Sequence, residues 1–412
     1  MEITDEALWT LRHPPQGPLA PYVDAFAREL NRQGFSRRSI CVQVRSVAHF
    51  SRWLKASHVG LEGVTDERAR RFLHRLVLKR ASRAGVRATL RRVLAFLRQS
   101  GVVPEQILRV EATPIQTVVA AFKQHLRDDQ GLSHATGVQY LPFAEQFLTE
   151  RFGGGEVELR ELCAADVVGF ITRQASRLSQ ARAKSATIAL RSFLRYLRYR
   201  GDIALDLAAA VPTVPNWSMT GIPRAISPDH VRAVLASCRR DTAVGRRDYA
   251  ILMLLARLGL RSGEVVALSL DSIDWELGSL AVVGSKGGPR SELPLPGDVG
   301  EAIADYLQRG RPRSSCRSLF LRANAPVRGL GAQTSIGTIV RAAIARAGVQ
   351  TRYWGAHQFR HALACEMLRQ GANLTEIGSL LRHRHPKTTG IYAKVDFAAL
   401  RPLGLAWPGV AR

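Results

Sequence analysis

Tyr392 closes a spaced series of side chains suited to phosphate chemistry. Arg261 stands in Leu-Gly-Leu-Arg-Ser-Gly-Glu, Lys286 in Gly-Ser-Lys-Gly-Gly, His357 and Arg360 in His-Gln-Phe-Arg, and His383 comes nine residues before the tyrosine. A phenol can attack a phosphodiester and hold the cut strand as a covalent intermediate. A guanidinium presents a planar fork to the non-bridging oxygens and stays charged throughout. Imidazoles and an ammonium group can move the protons. Such a set breaks a DNA phosphodiester without a metal ion. His357 and Arg360, three apart on an expected helix, leave from one face and can converge on one phosphate.

Each piece has a plainer reading. Arg261 could form an ion pair with Glu264, Tyr392 could be a half-buried aromatic, and Lys286, with Arg290 nearby, could be a solvated lysine at a hairpin tip. His361 and His385 read as structural or phosphate-adjacent. Order and company favour chemistry, and so does charge. The 412 residues carry 59 lysines and arginines against 34 acids, a formal +25, which points to a polyanion, and nucleic acid is the polyanion expected. A membrane partner is not expected, since there is neither an apolar run of about 18 residues nor a signal-peptide pattern. The reading is a soluble, cytoplasmic protein. Cys41, Cys163, Cys238, Cys316 and Cys365 are scattered and never paired at zinc or disulfide spacing, so all five read as small core residues in a reducing compartment. No Cys or carboxylate stands at ligand spacing beside His357, His361, His383 or His385, so neither metal nor cofactor is expected.

The elements that must position these groups follow from periodicity. Residues 90–101 and 190–201 align at an offset of 100, with six of twelve positions identical. Both carry one apolar helical stripe (Leu90, Val93, Leu94, Leu97; Leu190, Phe193, Leu194, Leu197), arginines on the other face, and a glycine (Gly101, Gly201) at the expected C-terminal cap. A weaker match lies upstream, where Phe26, Leu30, Gly34, Ser36 and Phe50 correspond to Phe122, Leu126, Gly131, Ser133 and Phe147. Two copies of one small helical domain are expected, over about 18–106 and 115–208. The Pro-rich stretch from Val211 to Pro223 reads as a linker. Ser227-Pro228-Asp229 then opens a new domain with an N-cap, an N1 proline and a first-turn acid. In it, helices are expected around Tyr249–Leu258, Val299–Leu307, Ile336–Ala347, Ala356–Gln370 and Leu374–Arg382. Short strands, Ser279–Val283 and Glu292–Leu295, flank the Lys286 turn.

On these residues the stretch from about Ala225 to Asp396 resembles the catalytic domain of the tyrosine recombinases, the phage-integrase-like site-specific recombinases. Residues 115–208 resemble that family's core-binding bundle. The family's first arginine falls on Arg261 with Glu264 as its acidic companion, the hairpin lysine on Lys286, the His-x-x-Arg pair on His357 and Arg360, the second histidine on His383 and the nucleophile on Tyr392. Two positions depart from the pattern. Leu381-Arg382-His383 stands where Leu-Gly-His is common, and Phe359 where a leucine usually precedes the arginine.

The resemblance implies a mainly α fold. Its parts are N-terminal helical bundles (core-binding, SAM-like, duplicated here) and a mostly helical α+β catalytic domain with a small antiparallel sheet. The expected boundaries are an additional DNA-contacting helical domain over 1–112, the core-binding domain over 113–213, a linker over 214–226 and the catalytic domain over 227–412. The resemblance also implies cutting and rejoining of double-stranded DNA through a 3′-phosphotyrosyl link. In that scheme Arg261 and Arg360 clamp the non-bridging oxygens, Lys286 protonates the leaving 5′ oxygen, His357 serves as acid/base at the tyrosine, and His383 donates a hydrogen bond to the phosphate. A homo-tetramer on two synapsed sites is the expected assembly, each subunit clamping duplex DNA in a C shape, with accessory recombinases as further candidate partners. The tail after Tyr392 (Phe397, Leu400, Leu403, Leu405, Trp407) is apolar enough to dock on a neighbour or to pack on its own domain. A mobile-element origin is also expected. Two rival readings are a DNA-binding regulator without catalysis and a type IB topoisomerase-like nicking-closing enzyme.

Overall fold

The helices begin where short polar side chains cap free amides. In the computed structural model, which describes residues 13–400 apart from 77–79, 105–112, 154, 215–222, 224, 285–287, 332 and 396–399, the first bundle contains α1 (Val23–Arg32), α2 (Arg37–Ala56), α3 (Asp66–Arg75) and α4 (Arg80–Gln99). The second contains α5 (Pro114–Asp128), α6 (His134–Phe152), α7 (Ala164–Arg177) and α8 (Gln180–Arg200). Both have the same order, including a short 3-10 turn between the second and third helices. Ser36 and Ser133 cap the second helix of their bundles, accepting the amides of Ser39 and Thr136. Gly34 and Gly131, just upstream, both have positive φ.

The two apolar stripes seen in the sequence are the two bundle cores. Leu90, Val93, Leu94 and Leu97 are buried in one, and Leu190, Phe193, Leu194 and Leu197 in the other. Gly101 and Gly201 both take the left-handed conformation. The next amide in each copy returns to the same carbonyl position, Val102 to Leu97 (2.9 Å) and Asp202 to Leu197 (3.0 Å), closing both helices alike. The correspondence also runs further than the sequence match. Phe50 meets Phe72 at 5.1 Å between ring centroids, and the equivalent pair Phe147 and Phe170 meets at 5.4 Å.

By backbone contacts the chain forms two units, Ile107–Gly221 and the remainder, Met1–Gln106 with Ile222–Arg412. Within the larger unit, the Val327 N–H donates to the Gln33 carbonyl (2.9 Å), joining the first bundle to the domain that follows residue 222. Val211, at the start of the Pro-rich stretch, is buried in the second bundle, and its carbonyl accepts Arg191 Nη2 at 2.7 Å. Pro215 to Ile222 lie outside the described residues.

The last domain is built on α9 (Pro228–Ala236), α10 (Ala243–Arg257), α11 (Ser262–Ala267), α12 (Gly297–Arg309), α13 (Gln333–Arg346), α14 (His357–Arg369), α15 (Leu374–Leu380) and α16 (Pro386–Thr389). Three antiparallel strands in the order β1-β2-β3 form its sheet: β1 (Ile273–Asp274), β2 (Ser279–Gly284) and β3 (Gly288–Pro294). Ser227 caps α9 through the His230 amide, as its Ser-Pro-Asp sequence implies. Every residue of α10 from Ala250 to Leu255 is buried, so this stretch of the helix is apolar all round and lies in the core of the domain. A smaller apolar cluster, with Ala364, Cys365, Ile377, Leu381 and Tyr392, lies where α14 and α15 meet the 3-10 turn Gly390–Val395.

The mainly helical fold with a small antiparallel sheet is as expected. The cysteine reading needs correction: Cys238 and Cys365 are buried, but Cys41 and Cys316 are half-buried and Cys163 is exposed. Cys163 occupies the N-cap of α7, where its amide donates to Asp166, and a cap lies at the surface rather than in the core. Among the described residues, no helix is long and apolar enough to cross a membrane.

Candidate active site

Arg261 occupies the N-cap of α11, two residues after Gly259, whose φ is +56°. A side chain at Gly259 would be strained by that φ, so the turn favours glycine, and the Leu381 and Leu363 side chains pack closely over it. The turn returns Arg261 onto Glu264: the Arg261 amide donates to Oε2 (2.9 Å) and Nη1 to Oε1 (2.7 Å). The ion pair of the plainer reading therefore exists, yet the Arg261 side chain remains 32% exposed while Glu264 is 1% exposed. The buried carboxylate aims a guanidinium that still faces outward.

Arg382 completes this arrangement, donating from Nη2 to Glu264 Oε2 (3.0 Å) and from Nη1 to the Leu380 carbonyl (2.9 Å). Its φ is +54°, the left-handed conformation that a glycine would adopt freely. The departure from Leu-Gly-His thus preserves the turn and adds a charge. Burial raises the pKa of Glu264, but the Arg261 amide and the Arg382 and Arg261 guanidiniums outweigh it, and the carboxyl titrates below its ordinary value.

Arg360, on α14, is among the most deeply buried side chains. Its Nη1 donates to the Gly259 carbonyl (2.5 Å) and its Nη2 to the Leu381 carbonyl. Burial first, then the like charges of Arg261 and Arg382, bring its pKa down to about 9, still ionised at neutral pH. Its hydrogen bonds run to neutral carbonyls. Three guanidiniums therefore surround one carboxylate, and an anion would balance the remainder.

His383 follows in the chain, with Nδ1 2.7 Å from the Thr389 hydroxyl. Burial, then Arg360 and Arg261, push its pKa down to about 4, so the ring is neutral at physiological pH. Tyr392 is 1% exposed, and burial raises its phenol to about 12, partly offset by the Arg360 charge. Its hydroxyl lies 2.9 Å from His361 Nδ1. His357, one turn earlier on α14, stacks edge-on against His361 at 4.8 Å between centroids.

The structure thus gathers Arg261, Arg360, His383 and Tyr392 around the junction of α11, α14 and α15, with His357 behind His361. Lys286 lies outside the described residues, in the β2–β3 connection. So do Phe397, Leu403, Leu405 and Trp407 of the tail, while Leu400 is exposed. Two members of the site were not singled out as functional in the sequence. Arg382 read only as a departure in a turn, and His361 as structural or phosphate-adjacent, although its helical spacing four residues after His357 could have revealed it.

The phage integrase family matches residues 224–399. A protein of Sinorhizobium fredii named "Putative integrase/recombinase y4rA" is 51% identical over 98% of this chain and 98% of its own length. Tyrosine recombinase XerD of Listeria monocytogenes is 31% identical over 58% of this chain and 80% of its own length. Among solved structures, XerH site-specific recombinase bound to palindromic difH substrate aligns with a TM-score of 0.55 and 19% identity, over 76% of this chain and 93% of that one. A lambda integrase dimer bound to a COC′ core site aligns at 0.52 and 16%, over 72% of this chain and 98% of that one. The chain belongs to the phage integrase family of tyrosine recombinases, enzymes that cleave and rejoin DNA strands.

Proposed function

We propose that this chain is a site-specific recombinase in which the Tyr392 oxygen attacks a DNA phosphorus, leaving a 3′-phosphotyrosyl link and a free 5′-hydroxyl. The observation that carries the reading is a charge imbalance: among the described residues Arg261, Arg360 and Arg382 gather around the one carboxylate of Glu264, with Arg360 buried and its charge acting on the Tyr392 phenol. Fixed positive charge of this kind stabilises the charge growing on a phosphorane far better than mobile water does, because it needs no reorganisation. Arg261 and Arg360 bind the non-bridging oxygens. If the Thr389 hydroxyl donates to Nδ1 of neutral His383, the ring proton sits on Nε2, and His383 is then a hydrogen-bond donor for the same phosphate. Lys286 protonates the leaving oxygen, His357 assists proton movement behind the tyrosine, and no metal is required.

In the same reading, residues 1–112 and 113–213 are DNA-contacting helical domains, 214–226 a linker and 227–412 the catalytic domain. The protein acts in the cytoplasm on double-stranded DNA, as a homo-tetramer on two synapsed sites, with accessory recombinases as further partners. Relatives of this fold support such an assembly, including a lambda integrase tetramer bound to a Holliday junction, 14% identical with a TM-score of 0.53. The test is a nicked suicide duplex carrying the recombination site. Wild type is expected to trap DNA covalently and Tyr392→Phe to trap none. An adduct on any sequence would instead indicate a nicking-closing enzyme, and none at all would indicate a DNA-binding regulator.

A further inference from the structure

The phenol that must attack phosphorus is buried and hard to ionise, so something must take its proton as the new bond forms. We propose that His361 is that group: the Tyr392 hydroxyl donates to His361 Nδ1 across 2.9 Å, and the proton passes along this hydrogen bond during attack. The inference rests on Tyr392 being the nucleophile. His361 is carried by α14, the same rigid helix as Arg360, so the base and a phosphate clamp keep a fixed spacing. Its ring lies edge-on between two others, His357 at 4.8 Å and Tyr392 at 5.6 Å, which limits its rotation and keeps Nδ1 on the phenol. His357 is thus placed behind the base, one ring removed from the reacting oxygen along this stack.

The step balances as follows. The Tyr392 oxygen–phosphorus bond forms, the bond from phosphorus to the 5′ oxygen breaks, the phenol proton moves to His361 Nδ1, and the departing 5′ oxygen receives a separate proton from Lys286. Strand joining reverses each transfer, with His361 returning its proton to the phenolate as the new 5′-hydroxyl attacks.

Single-turnover cleavage of the nicked suicide duplex by the full chain tests this. His361→Ala and His361→Gln are each expected to slow adduct formation about 10²- to 10⁴-fold, with DNA affinity within a few-fold of wild type. Glutamine can hold the hydroxyl but cannot take its proton at neutral pH. Replacing Tyr392 with fluorinated tyrosines of falling phenol pKa should accelerate the His361→Ala enzyme more than the wild type, because an acidic phenol needs less help. A substrate with a 5′-bridging sulfur, whose leaving group needs no proton, should rescue Lys286→Ala and not His361→Ala. Wild-type rates in either His361 variant, equal gains from fluorination in both backgrounds, or rescue of His361→Ala by the sulfur substrate would overturn the role of His361. Failure of wild type to form an adduct, or trapping by Tyr392→Phe, would overturn the nucleophile assignment itself.

Discussion

Three residues of the site are set by burial as much as by chemistry. Arg360 meets two carbonyl oxygens on separate loops, which requires the guanidinium fork. Arg360→Lys is therefore expected to reduce single-turnover cleavage by about 10²- to 10³-fold, nearly as much as Arg360→Ala, despite keeping the charge. His383 gives a prediction about stability. Its folded pKa of about 4 lies below its ordinary 6.5, so as pH falls below 6.5 the unfolded chain gains a proton that the folded chain refuses. Stability should drop between about 6.5 and about 4, and urea unfolding at stepped pH should show a flatter dependence in His383→Gln. The Tyr392 phenol acts at the other end of the scale. With its pKa raised from 10.0 to about 12, it contributes a loss of stability as pH rises through that interval, absent in Tyr392→Phe.

The loop after α15 shows how an element tolerates an unusual residue. Arg382 holds a left-handed backbone that costs a side-chain-bearing residue about 1–2 kcal/mol, and it is anchored by Glu264 and by the Leu380 carbonyl. Arg382→Ala loses the anchor and keeps the strain, whereas Arg382→Gly loses the anchor and releases the strain. The glycine variant should be the more stable by about 1 kcal/mol in chemical denaturation. Both should cleave more slowly than wild type, because Glu264 then aims Arg261 without its second partner. The bundles offer a second element-scale prediction. Leu94 and Leu194 are buried at equivalent places in separate cores, so truncating either to alanine should cost about 2–5 kcal/mol locally. Hydrogen exchange should show Leu194→Ala losing protection within residues 114–208 while α1 to α4 keep theirs.

Across the whole molecule the excess of basic residues sets how it meets DNA. With a formal +25, affinity for duplex DNA should fall linearly on a log–log plot against salt, by about 0.9 for each phosphate neutralised. Arg195 is exposed on α8, beside residues of its buried stripe. If it contacts a phosphate, Arg195→Ala should lower that slope by about one and weaken all sequences alike. Fluorescence anisotropy over a salt series measures both. Arg261, Arg360 and Arg382 are expected to contribute differently: they share one site, so removing any of them should weaken transition-state binding more than general affinity.

Sequence by itself determined what periodicity and polar spacing encode. The two stripes at Leu90–Leu97 and Leu190–Leu197 announced duplicated bundles because burial demands that period, and Ser-Pro-Asp at 227–229 announced a helix because a cap is a local contact. The polar series from Arg261 to Tyr392 pointed to phosphate chemistry because few other tasks need that set. Tertiary structure alone decided which of those groups touch. That His361 meets the phenol, that Arg382 shares Glu264 with Arg261 across more than a hundred residues of chain, and that Arg360 is buried against Gly259 and Leu381 all depend on α14, α15 and the Gly259 turn converging. Contacts between residues distant in sequence have no period to read, so the excess of positive charge gathered around Glu264 emerges only when the chain is folded.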